Sequence, residues 1–169
     1  ELSSGNVRIT KLINAKHLFD LDFKYSIVEN DLKLDWKNNI LHYFNKENYL
    51  LSQVLINEAI INEKIFEVYE LTPSDKAMVL VKEGESIGGF PVAAAAKQAY
   101  LKEETDFPLE NIKDYIENLP EKEFSTEEKD KIVAEFPNLY QSNNDLEEFC
   151  IRHQVNPINV WYWFKESNV

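Results

Sequence analysis

The stretch from Asn48 to Leu71 is the most apolar part of the sequence, and it limits the possible folds more than any other. Its hydrophobic side chains recur at intervals of three and four, which places them on one broad face of an α-helix about six turns long. Further apolar residues widen this face until little of the helix circumference is left for water. We therefore expect a central helix that is buried on more than one side. The residues of this pattern are Leu50, Leu51, Val54, Leu55, Ile56, Ala59, Ile60, Ile61, Ile65, Phe66, Val68 and Tyr69.

The composition is that of a folded domain. Hydrophobic residues make up 44% of the 169 residues and aromatic residues 12%, which excludes wholesale disorder. Charged residues interrupt the central helix, so no apolar run reaches the roughly 18 residues that a membrane span needs. No signal-peptide pattern is visible, and the single cysteine, Cys150, fits a reducing compartment, so we expect a cytoplasmic protein. Because the sequence opens on Glu1 and not on Met, we also expect a piece of a longer protein.

Shorter elements surround the central helix. Residues 18–27 alternate between apolar and polar side chains, and Leu32, Leu34 and Trp36 alternate again, which predicts an N-terminal β-hairpin. Helical spacing predicts further helices over 37–46, 73–83, 92–104, 108–119, 125–136, 145–153 and 157–165. The predicted fold class is mainly α, a multi-helix bundle around one long central helix.

Two helix starts carry capping signals. Thr72 with Asp75, and Ser125 with Glu128, have the residue types and the three-residue spacing of a capping box. Residues 84–89 contain three of the four glycines, so we expect the one conformationally loose loop here. This loop lacks the Lys-Ser or Lys-Thr pair of a phosphate-binding loop, so a turn between helices is favoured over a phosphate site.

The last residues read as two short helices joined by a tight turn, similar to a helix-turn-helix unit. Asn156 and Pro157 are suited to the start of the second helix. We predict a core domain of residues 1–140, including the hairpin, and a C-terminal appendage of residues 141–169 packed on it. Structural packing is one role for this pair, a protein contact is another, and DNA reading is a third. Candidate partner contacts are Arg152, Tyr162, Trp163 and Lys165.

The net charge of −12 bears on possible partners. Residues 102–130 contain eleven acidic side chains and four lysines, and the C-terminal pair is also acidic. Such a surface repels phosphate, so direct DNA binding is disfavoured. A solvated acidic face explains the charge, and docking onto a basic partner is the alternative.

No catalytic constellation is recognisable in the sequence, although an enzyme of an unfamiliar kind stays open. The spacing of Cys150 and His153 would allow both to hold a metal ion on one helix, but further ligands at metal spacing are missing. A core cysteine beside a boundary histidine is the favoured alternative. We therefore predict no catalytic, cofactor-binding or metal residues.

Residues 56–72 together with Asp75 resemble a segment of large adenine-specific DNA methyltransferases, the Eco57I-like and BREX-associated (PglX-type) enzymes. The letters that carry the resemblance are I-N-E at 56–58, F-E-V-Y-E-L-T at 66–72, L-D-W at 34–36 and N-P-I-N-V-W-Y-W-F-K at 156–165. The glycine-rich cofactor loop and the N-P-P-Y catalytic tetrapeptide of this family are missing from the chain. The resemblance thus implies a non-catalytic helical module, with S-adenosylmethionine bound elsewhere in the parent protein.

From these patterns we expect a non-catalytic accessory or connector domain of a larger bacterial DNA-modifying protein, such as a restriction-modification or phage-defence methyltransferase. It would orient the catalytic and DNA-recognition parts or dock a partner subunit. The alternative is a freestanding acidic helical adaptor or regulator that binds another protein.

Overall fold

The computed structural model describes residues 36–104, 109–136 and 143–167, and this part of the chain is mainly helical, as predicted. A 3-10 turn is formed by Ile87–Gly89. Within these ranges the β pairing is limited to an isolated parallel bridge between Val92 and Glu121. The seven α-helices of these ranges are α1 Trp36–Val68, α2 Pro73–Glu83, α3 Ala94–Lys102, α4 Lys113–Glu117, α5 Thr126–Glu135, α6 Asn143–His153 and α7 Pro157–Ser167.

Helix α1 is longer than predicted, because it combines two predicted helices and extends over 33 residues. No glycine or proline occurs between Trp36 and Val68, so nothing breaks the backbone hydrogen bonding at residue 47. Trp36 begins this helix, and its predicted place in a strand is therefore wrong. The rest of the predicted β-hairpin lies outside the described residues.

The middle of α1 is buried around its whole circumference. Every residue from Glu47 to Asn57 is buried, including polar ones. Ser52 Oγ donates to the carbonyl oxygen of Asn48 and also lies 3.2 Å from that of Pro157, which ties α1 to α7. Burial then decreases, and Tyr69, just after the helix, is 72% exposed. The expected burial is correct for the middle of the helix and wrong for its last turns.

Two hydrophobic clusters form the core, and both α1 and α7 contribute to each of them. One cluster joins these two helices to the 3-10 turn, α5 and α6. The other joins them to α3 and α4, and in it Trp161 packs edge-on against the rings of Tyr49 and Tyr100. Helix α7 is therefore as central to the packing as α1. The predicted domain boundary after residue 140 stays a prediction.

Both predicted capping boxes are present. Thr72 Oγ1 accepts from the Asp75 backbone N–H, and Ser125 Oγ accepts from the Glu128 backbone N–H. In turn, each carboxylate accepts from the backbone N–H of its cap residue. Helix α2 ends at Gly84 with φ 86°, a backbone conformation that favours glycine. Helix α3 begins at Ala94, later than predicted, because Val92 pairs with the segment that follows α4. Pro108, the predicted start of the next helix, lies outside the described residues.

The glycine-rich loop is closely packed, so the expectation of a loose loop is wrong. A Cβ atom on Gly88 would lie 2.5 Å from the carbonyl oxygen of Leu55 and 2.8 Å from Cα of Ile56. The absence of a side chain at this position allows the loop to lie directly on the backbone of α1. Asn156, at the start of α7, donates from Nδ2 to the carbonyl oxygens of Gly88 and Phe90 and so holds the loop from the other side.

Candidate docking site

The last turns of α1 and the whole of α2 form an arm, which we define as residues 62–83. Chain reversal occurs at Glu70, which has φ 50°, and the Leu71 N–H donates to the carbonyl oxygen of Phe66. Helix α2 has no buried residue and makes few contacts with the other helices. Its apolar residues, which the helical spacing predicted, therefore do not contribute to the core.

The arm exposes large apolar side chains. Among the described residues, five large hydrophobic side chains are exposed, and four of them are on the arm: Val68, Tyr69, Met78 and Val81. Val81 is 89% exposed. Single exposed hydrophobic residues are common on protein surfaces, but their concentration on one element is typical of an interaction surface.

A groove of about 450 Å³ lies where the arm meets the glycine-rich loop. Residues of α1 and α2, residues of the loop and Tyr115 of α4 line this groove. The lining residues are Ala59, Asn62, Glu63, Phe66, Glu67, Lys76, Leu80, Glu85, Ser86, Gly89, Phe90 and Tyr115.

Hydrogen bonds from the arm fix the groove to the rest of the domain. Asn62 Nδ2 donates to Ser86 Oγ at 2.7 Å, which connects α1 to the loop. The Tyr115 hydroxyl donates to Glu63 Oε1 at 3.4 Å. Burial, together with the negative charge of Glu63, raises the pKa of Tyr115 far above its ordinary value, so this hydroxyl stays protonated and remains a donor.

Helix α4, which carries Tyr115, is itself anchored to the core by a buried lysine. Lys97 Nζ donates to the carbonyl oxygens of Glu117 and Leu119 at 3.2 and 2.9 Å and forms an ion pair with Glu121 at 2.8 Å. These bonds satisfy carbonyl groups at the end of a helix of only five residues. The position of Tyr115 in the groove thus depends on a contact from α3.

The four C-terminal candidate residues do not form one surface. Trp163 is buried and packs edge-on against Phe124, because α7 is covered on both sides, so this side chain is not available for the predicted partner contact. Tyr162 is partly exposed and donates to Glu166. Lys165 forms an ion pair with Glu103 at 2.6 Å. Arg152 is exposed on α6, near the ring of Phe149.

Cys150 and His153, whose spacing would allow both to hold a metal ion on one helix, have different environments. Cys150 is fully buried, and burial raises the pKa of its thiol well above the ordinary value. His153 Nε2 instead lies 2.9 Å from Glu135 Oε2. In the described ranges no group of three or more histidine, cysteine, aspartate or glutamate side chains is placed to hold a metal ion. In those same ranges, no helix is both long and apolar enough to cross a membrane.

The sequence-based reasoning missed the groove because its residues belong to patterns that also predict a core. Phe66 and Leu80 fit the apolar spacing of their helices, and Glu85 lies in a loop that reads as a simple turn. A local signal was present in Glu63 and Glu67, which place carboxylates beside the apolar stripe of α1.

Comparison of the chain with models of protein families, with curated proteins and with solved structures gives no match.

Proposed function

We propose that this chain is a non-catalytic docking domain, and that it serves as an accessory or connector module of a larger bacterial DNA-modifying protein, such as an adenine-specific methyltransferase. The observation that carries the docking role is the arm, which presents four large apolar side chains to solvent next to a groove. Exposed apolar surface of this kind is stabilised by a protein partner. In this proposal the partner is another part of the same polypeptide or a separate subunit.

The resemblance to methyltransferase segments supports the DNA-modifying setting. Its longest element begins at Ile56 in the core and ends at Asp75 in the capping box of α2, so it includes the turn of the arm. The resembling residues thus form the first part of the arm and the cap of α2, and catalysis and S-adenosylmethionine binding belong to the parent protein. The lone buried Cys150 fits action in the reducing cytoplasm.

Substitutions on the arm test this function. In the full-length protein that the gene encodes, the double variant Met78→Asp/Val81→Asp places two charges on α2, where no residue is buried. We expect adenine methylation of cellular DNA to fall while the protein remains folded. The matched control is Ile151→Asp, at an exposed apolar position on α6 that is 46% accessible. Methylation equal to that of the wild type in the double variant would contradict the proposal.

A freestanding adaptor is the second candidate, and the acidic rim of the groove favours it, because Glu63, Glu67 and Glu85 suit a basic partner. Reading the gene on both sides of this segment separates the two candidates. An N-P-P-Y core in the same reading frame supports the accessory domain, and its absence supports the adaptor. Neither candidate binds DNA through this domain, so a gel-shift titration at low salt is expected to show no complex.

A further inference from the structure

We infer that the groove receives a basic amphipathic segment of the docking partner, with an apolar side chain in the groove and Lys or Arg side chains at its rim. This inference rests on the proposed docking function and specifies the chemistry of the partner. It follows from the lining of the groove, the charges at its rim and the position of the arm.

The interior of the groove is suited to an apolar side chain. Phe66 of α1 and Leu80 of α2 line the groove, and Ala59 and Phe90 add further apolar surface. A volume of about 450 Å³ exceeds that of a single large side chain and is in the range of ligand-binding clefts. The remaining space accommodates the flanking residues of a short segment.

The rim is negatively charged. The groove is lined by the carboxylates of Glu63, Glu67 and Glu85 and by the ammonium group of Lys76, which lies over the ring of Phe66 at 5.8 Å. Glu67 pairs with Lys64 at 2.8 Å, whereas Glu85 is exposed and forms no ion pair with another residue of the described ranges. An anionic ligand such as a nucleotide or a DNA phosphate would be repelled here, and a cationic segment would be attracted.

Peptide binding to the 169-residue chain tests the inference. The probe is a short fluorescein-labelled peptide with leucines at helical spacing and arginines between them, followed by fluorescence anisotropy. Two matched probes replace leucine by serine or arginine by glutamate. We expect binding of the first probe and at least roughly tenfold weaker binding of the other two. The serine probe lacks the apolar side chains for the groove, and the glutamate probe lacks the positive charges for its rim.

Variants of equal net charge locate the site. The groove variant Glu63→Gln/Glu67→Gln/Glu85→Gln is compared with a control that changes three exposed acids outside the groove, Glu104→Gln/Glu123→Gln/Glu148→Gln. We expect roughly tenfold weaker binding for the groove variant and at most about a twofold change for the control. Equal loss in both would show attraction by net charge alone and would overturn the inference.

An apolar variant separates the inference from the proposed function. Leu80→Ser removes an apolar wall without affecting the core, because α2 has no buried residue, and it is expected to weaken binding of the leucine–arginine peptide. If the peptide does not bind and methylation is lost in Met78→Asp/Val81→Asp, the inference that the partner segment is basic and amphipathic is contradicted. The proposed docking function is then retained. Peptide binding with unchanged methylation would retain the groove and contradict the role in DNA modification.

Discussion

Asn156 Nδ2 donates a hydrogen bond of 2.8 Å to the carbonyl oxygen of Phe90, which joins the start of α7 to the end of the glycine-rich loop. The same amide donates to the carbonyl oxygen of Gly88, and its Oδ1 accepts from the Ile158 N–H at 2.9 Å. One buried side chain therefore caps a core helix and fixes the loop that lines the groove. Local capping and long-range packing depend on the same residue.

Replacement of Asn156 is expected to destabilise the domain strongly. Asn156→Ala removes the cap, which contributes about 1 kcal/mol, and leaves buried carbonyl groups without a donor, at a cost of about 1–3 kcal/mol. We expect the free energy of unfolding to decrease by about 3 kcal/mol, measured by urea denaturation. The control is Asn118→Ala, since the exposed amide of Asn118 donates to the carbonyl oxygen of Asp114 within its own turn. Equal effects of the two substitutions would contradict this account.

Gly88 is expected to be the glycine least tolerant of substitution in the loop. The added methyl group of Gly88→Ala meets backbone atoms of α1, which cannot move as a flexible side chain can. We expect a loss of at least about 2 kcal/mol. Gly89→Ala is the matched control, because its nearest contact is the Tyr115 hydroxyl at 3.3 Å, a side-chain atom that can shift. Urea denaturation of both variants tests the difference, and a smaller loss for Gly88→Ala would be inconsistent with the close approach of the loop to α1.

The two capping boxes predict lower stability in acid. A hydrogen bond from the Thr72 side chain lowers the pKa of Asp75, and one from the Ser125 backbone lowers that of Glu128. A carboxyl group whose pKa is lower in the folded state contributes stability above its unfolded pKa of about 4, and this contribution is lost as the pH falls through the folded value. Urea midpoints of the wild type should therefore decrease on acidification below about pH 4.

The double variant Asp75→Asn/Glu128→Gln tests the origin of this pH dependence. It keeps a side-chain oxygen at each position but removes the titrating group, so its urea midpoint should depend less steeply on pH than that of the wild type in the same acid range. Equal steepness in the two proteins would assign the acid sensitivity to other carboxylates.

The helix caps could be predicted because they are local, whereas the groove and the burial of α7 could not. Thr72 and Asp75 are three residues apart, so their spacing is enough to indicate the contact. Whether Met78 and Val81 are covered depends on elements distant in sequence, and helical spacing alone does not contain that information. Trp163 shows the same limit, because helices from several parts of the chain cover both sides of α7.

Cys150 is expected to report global unfolding. Its side chain is fully buried, and the raised pKa of the thiol disfavours the reactive thiolate. Reaction with Ellman's reagent should be slow in buffer and accelerate with urea in parallel with the loss of helical circular dichroism. The signal is unambiguous because the chain has a single cysteine. Rapid reaction under native conditions would show that α6 opens locally.

In the proposed docking role, the lack of buried side chains in α2 separates partner recognition from folding. Residues that face outward on this helix can be exchanged without creating cavities elsewhere, so natural variation at Met78 or Val81 can change partner choice while the melting temperature stays the same. Under this proposal, single substitutions on the arm would change the specificity of the domain, and the arm would be a practical position for redirecting the domain to a chosen target.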